Sequence, residues 1–266
     1  AALAGLGPVG ELLVGAAARF GAAAPASAEA MNAAVTAALR ALARFGTALR
    51  DELEPEADWT RAALGEDWFE RRVQEAYAVR SSVAELARWA DQTLEQTAGA
   101  FAAAAPARPR AGSDLAGAQA RAIAGLASPI RRAIRSPVAV EGWALYASSV
   151  DADTDPRWLR RLGDAAGRLA VDVGLHARGM APADAARLLT GRAGMTAAAA
   201  GREVRRAAAH PTRGLAAAAG YRDIVRLRQA YEASGGAAGR DAFHAALLRY
   251  GALPPGLAGW GLGLDG

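Results

Sequence analysis

The chain has no cysteine, which excludes disulfides, thiolate nucleophiles and thiolate metal sites. It has no lysine either: all 31 basic residues are arginine. A glycine-rich phosphate loop closed by a lysine therefore cannot form. Only three histidines occur, His176, His210 and His244, and no His-Glu-x-x-His pair is present. A conventional zinc site would need long-range convergence of side chains. Long apolar runs are also missing. A membrane span needs roughly 20 largely apolar residues, and Glu11, Arg19, Glu29, Arg40 and Arg44 interrupt every N-terminal window. Aromatic residues make up 6% of the chain and β-branched residues are sparse, which leaves little material for strands.

What is present is alanine. Hydrophobic residues are 52% of the 266, enough for a sizeable core, and the excess of alanine favours closely packed helices. The composition predicts an all-α fold. The net charge of +4 does not point to nucleic acid, because an excess of alanine, glycine and arginine without lysine is what a GC-rich genome produces. The charges also alternate in sign: Arg71 and Arg72 adjoin Glu70 and Glu75, and Arg160 and Arg161 lie near Asp155 and Asp164. This is the pattern of solvated helix surface. Neither a nucleic-acid partner nor a membrane is expected, and a small molecule or a peptide is the partner class left open. The first ten residues carry no basic segment ahead of an apolar run and no initiator methionine. A fragment or a processed chain is expected, with the cytoplasm as default location.

Apolar periodicity and helix-end residues predict about eight to ten helices. Ser82 and Glu85 form the pattern of a capping box. Asp155 and Pro156 suit the N-cap and first position of a long helix ending near Gly179. Glu54-Pro55-Glu56 reads as a break. The stretch 105–112, with Pro106, Pro109 and Gly112, reads as a linker dividing an N-terminal helical part, 1–104, from a C-terminal part, 113–266, the two forming one compact domain. The glycine-rich tail from Leu253 is expected to wrap the surface or fray.

The chemistry-bearing residues are few. Glu141 shares a helix face with Ala144, Leu145 and Ser148, and a carboxylate on a largely apolar stripe needs a partner. Trp143 and Tyr146 read as packing. Asp172 precedes His176 by one turn. At that spacing an aspartate can orient an imidazole for acid/base work, or the two can form a plain local contact with the histidine facing the helix dipole. His210 and His244 read as structural.

The run Val140-Glu141-Gly142-Trp143-Ala144-Leu145-Tyr146-Ala147 resembles a signature of the bacterial family known as domain of unknown function 885. Collinear with it are Ser128-Pro129-Ile130-Arg131-Arg132, Val171-Asp172-Val173-Gly174-Leu175-His176-Ala177-Arg178-Gly179 and Phe243-His244-Ala245-Ala246-Leu247-Leu248. The match is clearest from roughly Arg110 to Leu257. The resemblance implies a helical, zinc-metallopeptidase-like scaffold and marks Glu141, Asp172, His176 and His244 as the catalytic candidates. The family carries a His-Glu-Gly-x-Pro-Gly-His-His motif upstream of the signature, supplying metal ligands and a carboxylate base. Here that stretch corresponds to Arg110-Ala111-Gly112-Ser113-Asp114-Leu115-Ala116-Gly117. A Tyr-Lys pair of the family corresponds to Ala217 and Ala218, and its second glutamate to Ser148.

Zinc is accordingly the family's cofactor, and no cofactor is expected in this chain. The leading expectation is a metal-free relative that has kept the scaffold, lost peptide hydrolysis and serves in binding or as a structural partner. The alternatives are a metal-independent acid/base enzyme using Glu141 with Asp172 and His176, and a fragment of an active hydrolase.

Overall fold

The computed structural model describes residues 2–53, 63–98, 114–150, 156–235 and 239–264. Among them are thirteen α-helices, a 3-10 turn at Pro25–Ser27, a π turn at Leu49–Leu53 and no strand. The all-α expectation holds. The expected linker at 105–112, the break at Glu54-Pro55-Glu56 and the N-cap Asp155 lie outside the described residues.

The chain divides into two compact units, Ala1–Asp58 and Trp59–Gly266. In the first, helix α1 (Ala2–Ala23) packs on α2 (Ala28–Ala48). A start at Pro8 is the sequence expectation, but residues 2–7 extend the helix ahead of it and leave Pro8 inside. The proline sacrifices one backbone hydrogen bond there, and the alanine- and leucine-rich flanks tolerate it.

The second unit comprises α3 (Glu66–Tyr77), α4 (Val83–Thr97), α5 (Asp114–Ala124), α6 (Pro129–Ala133), α7 (Pro137–Val150), α8 (Pro156–Ala177), α9 (Pro182–Gly191), α10 (Ala197–Ala209), α11 (Ala216–Ala233), α12 (Arg240–Leu248) and α13 (Pro255–Gly261). Two helix pairs organise it: α7 on α11 and α4 on α8. Helix α8 is buried on two sides. Leu169 and Val173 join Phe69, Leu86, Val138 and Leu215 in one core cluster, while Val171 and Leu175 join Leu94, Leu189 and Val204 in another. Apolar side chains at spacings of two and four along one helix reach both clusters. The α7/α11 crossing is closest at Gly142 and Gly220. A Cβ added at Gly220 would lie 1.9 Å from the Val138 carbonyl oxygen, and one at Gly142 would lie 2.5 Å from the Gly220 backbone. No larger residue fits this crossing without moving a helix.

Helix ends follow the expected chemistry. The Ser82 hydroxyl accepts the Glu85 N–H at 3.2 Å, and the Glu85 carboxylate accepts the Ser82 N–H at 3.0 Å. The Ser82 backbone N–H holds the Glu85 carboxyl below its ordinary range, against a small opposing effect of burial. Replacing Ser82 with alanine is expected to lower stability by about 1 kcal/mol, seen as a reduced urea midpoint with unchanged slope. Helix α8 stops at Ala177, and Gly179 takes φ +65°, a left-handed conformation that glycine adopts freely.

The tail, expected to wrap the surface or fray, packs as a helix. Pro255 starts helix α13 at its first position, Ala258 and Gly259 are buried, and a Cβ at Gly256 would stand 2.4 Å from the Ala78 carbonyl oxygen. The small residues that suggested fraying instead allow close packing against Ala78.

Candidate functional site

Three of the four candidate residues gather around one short segment, residues 207–215, which links α10 to α11. Helix α10 ends at Ala209 with His210 as its C-cap, Thr212 takes φ +67°, and α11 begins at Ala216. A non-glycine residue in the left-handed region is uncommon and needs support from its surroundings. Asp172 of α8 supplies it. Its Oδ1 accepts the Thr212 N–H and its Oδ2 the Leu215 N–H, each at 3.0 Å. The segment packs tightly on this carboxylate: a Cβ at Gly214 would lie 3.2 Å from Asp172 Oδ2 and 3.0 Å from the Arg168 carbonyl oxygen.

Asp172 is fully buried. Burial pushes its carboxyl up to about 6, while His176 and the N–H groups of Thr212, Leu215 and Gly214 pull the other way. His176 is also buried, and its Nε2 donates to the Ala207 carbonyl oxygen at 3.0 Å. The distance from that nitrogen to Asp172 Oδ1 is 3.8 Å, too long for a hydrogen bond. The aspartate and histidine thus share a helix face as the spacing predicts, but both also bind backbone groups of the 207–215 segment. The His176 carbonyl oxygen further accepts the N–H groups of Leu64 and Gly65 at 2.7 and 3.0 Å.

Glu141, on α7, meets the same segment from outside. Its Oε1 lies 2.8 Å from Arg213 Nη2, with the two side chains 39% and 46% exposed. An ion pair this open adds at most about 1 kcal/mol of stability. Its consequence is chemical: the carboxylate already faces a fixed positive charge.

His244, on α12, sits elsewhere. It is buried against Trp143, Tyr146 and Phe243, which belong to a third core cluster. Its Nε2 is 3.0 Å from the Tyr146 hydroxyl, and its ring stands edge-on to Trp143 and Tyr146. Burial pushes its imidazole down, with Asp241 opposing, and burial pushes the Tyr146 hydroxyl up. Trp143 is anchored by its indole N–H, which donates to the Leu115 carbonyl oxygen at 3.1 Å. Trp143 and Tyr146 pack as the sequence suggests, and their contact with His244 is not visible in any local spacing.

Sequence reasoning missed the basic side chains beside this segment. Arg168, Arg206 and Arg213 line a cleft with Glu203 over an apolar floor of Val171 and Leu189. Glu203 Oε2 accepts from Arg168 Nε at 3.2 Å and from Arg206 Nε at 3.1 Å. Burial pushes the Glu203 carboxyl up, but Arg168 and Arg206 outweigh it and hold it below its ordinary range. In the sequence these arginines are indistinguishable from many others on helix surfaces.

The donor set does not fit zinc. Among the described residues no group of three or more histidine, cysteine, aspartate or glutamate side chains could hold a metal ion. Zinc requires about four ligands in tetrahedral array. Glu141 faces a guanidinium, and both Asp172 oxygens accept backbone N–H groups. The stretch 110–117, part of which lies outside the described residues, contains neither histidine nor glutamate. Among the described residues, no helix is long and apolar enough to cross a membrane.

No curated protein matches the chain. Two solved structures share its fold. A candidate lipoprotein from Colwellia psychrerythraea aligns with TM-score 0.63 and 16% identity, covering 90% of this chain and 63% of its own. A candidate lipoprotein of unknown function from Shewanella oneidensis aligns with TM-score 0.58 and 14% identity, covering 91% of this chain and 66% of its own. The chain thus spans less than two thirds of the length of either. The family described as "bacterial protein of unknown function (DUF885)" matches residues 119–258, a span holding Glu141, the 207–215 segment and His244. With more than half of its length matched, including every candidate residue, the chain belongs to that family.

Proposed function

We propose that this protein is a metal-free member of its family that binds a small molecule or peptide and does not hydrolyse peptides. The observation that carries the reading is the Glu141–Arg213 pair at 2.8 Å. A guanidinium keeps its charge at every physiological pH. A metal ion approaching Glu141 would meet that charge directly and would find no cluster of further ligands among the described residues. Asp172 and His176 support the same reading, because both are buried and hold the backbone of the 207–215 segment. A general acid or base must reach its substrate directly or through one water.

The similarity to two candidate lipoproteins supports the cell envelope, in preference to the cytoplasm, as the place where it works. The test of the reading is hydrolysis of a fluorogenic peptide library by zinc-supplemented protein, with and without a chelator. No chelator-sensitive cleavage is expected. Turnover that the chelator stops and Glu141→Gln abolishes would overturn it.

A further inference from the structure

We infer that a basic face of the second unit, built from α5, α6 and residues 249–262, docks on the surface of a bilayer that contains anionic phospholipid. This goes beyond the metal-free reading above and does not depend on it.

Mixed charge over most of the chain argues against such a partner, but two segments break that pattern. Residues 115–140 and 242–264 contain no aspartate or glutamate, and they hold five arginines: Arg121, Arg131, Arg132, Arg135 and Arg249. The net charge of the whole chain is +4, so the rest of it is close to neutral. The fold joins the two segments. The Ser136 N–H donates to the Ala252 carbonyl oxygen at 3.1 Å, a Cβ at Gly251 would lie 2.7 Å from Leu126 Cδ1, and Arg131 donates to the Arg249 carbonyl oxygen. Arg131, Arg132 and Arg135 all donate to backbone carbonyls, which carry no net charge. None of the ion pairs among the described residues involves these three or Arg249. Their charge is left for a partner, and an anionic surface complements it.

Bare hydrocarbon beside these arginines decides which anionic surface. Ile130, Leu257 and Trp260 are 75%, 48% and 72% exposed. Tyr250 ties their neighbourhoods together: the Arg131 guanidinium lies 5.8 Å from its ring centre, and its hydroxyl donates to the Gly261 carbonyl oxygen. Leu257 and Trp260 stand three apart on α13 and so share a helix face. A nucleic acid would leave Ile130 and Leu257 in water, although a base could stack on Trp260. At a bilayer surface, aliphatic side chains enter the boundary between headgroups and acyl chains, and tryptophan settles at headgroup level. Docking of this kind needs no membrane-spanning helix.

Cosedimentation of the whole chain with vesicles tests the docking face, using pure phosphatidylcholine and an equimolar mixture of phosphatidylcholine and phosphatidylglycerol. The mixed vesicles should bind about tenfold more tightly or better, and added salt should weaken that binding. One arginine near an anionic surface strengthens binding about fivefold. Arg132→Gln with Arg135→Gln should therefore weaken it by about tenfold or more, with an unchanged circular dichroism spectrum. Arg187→Gln with Arg192→Gln removes the same charge from arginines that pair with Asp184 and Asp91, and this variant should bind as the parent does. Tryptophan emission should shift to the blue on mixed vesicles, and the shift should shrink in Trp260→Phe. No binding to mixed vesicles, equal binding to both compositions, equal losses in the two double variants, or a shift unchanged in Trp260→Phe would overturn the inference. Tighter binding to single-stranded RNA or duplex DNA than to mixed vesicles would also overturn it, in favour of a nucleic-acid surface.

Discussion

Gly220→Ala is expected to destabilise the protein by about 3 kcal/mol or more, the upper end of overpacking penalties. The new Cβ would lie 1.9 Å from the Val138 carbonyl oxygen and 2.9 Å from the Gly142 Cα. Neither atom belongs to a flexible side chain, so α7 and α11 must separate. Their separation would open the contacts that Leu145, Ala216 and Ala219 make in the main core cluster. Gly142→Ala is expected to act in the same direction, since its Cβ would meet the Gly220 backbone at 2.5 Å. The control is Gly201→Ala in α10, where the added carbon meets only the movable end of Arg205 at 3.4 Å. In a helix interior that change gains up to about 1 kcal/mol from helix propensity. Urea denaturation followed by circular dichroism should therefore move the midpoints in opposite directions. Equal midpoints for Gly220→Ala and the parent protein would contradict the close crossing.

Asp172→Ala is the second large effect. It leaves the buried N–H groups of Thr212 and Leu215 without their acceptor, and the 207–215 segment loses the support for a left-handed threonine. The expected loss is about 3–5 kcal/mol. The pH dependence has a definite sign. Burial raises the Asp172 carboxyl to about 6 from an ordinary value of 3.8. Between those values the folded state holds the proton more firmly than the unfolded state. The group's contribution is therefore complete below about pH 4 and is lost as pH rises through 6, a change of about 3 kcal/mol. Asp223, raised to about 6 chiefly by burial, acts in the same direction. His244 acts oppositely: burial lowers its imidazole, so its contribution is present above about pH 6.5 and is lost as pH falls through its lower folded value. Removing Asp172 should flatten the decline between pH 4 and 6, and the gap between variant and parent should narrow as pH rises. A gap that widens with pH would show that the folded state prefers the ionised carboxyl.

These two residues show how far the sequence could be read. Local rules foresaw the Ser82 capping box, the stop at Gly179 and the helical face shared by Asp172 and His176, because each depends on residues within a turn or two. The Glu141–Arg213 pair, the grip of Asp172 on the Thr212 and Leu215 N–H groups and the Tyr146–His244 contact join distant parts of the chain. No periodicity encodes them. The Glu-Gly-Trp-Ala-Leu-Tyr element also gains a physical account that its family likeness does not provide. Gly142 permits the helix crossing, Trp143 and Tyr146 fill a buried aromatic cluster with His244, and Glu141 meets a guanidinium. Much of the element therefore packs the core. The C-terminal helix was missed because glycine, proline and alanine in Pro254–Gly261 carry a weak helix signal, and their small size matters only through packing against Ala78 and Tyr250.

The proposal of a metal-free protein turns on the Glu141–Arg213 pair. Its most direct test is equilibrium dialysis of the purified chain against micromolar zinc, with bound metal counted by mass spectrometry, for the parent protein and for Arg213→Ala. Far less than one zinc per chain is expected in the parent. One tightly held zinc per chain, lost on Glu141→Gln, would contradict it.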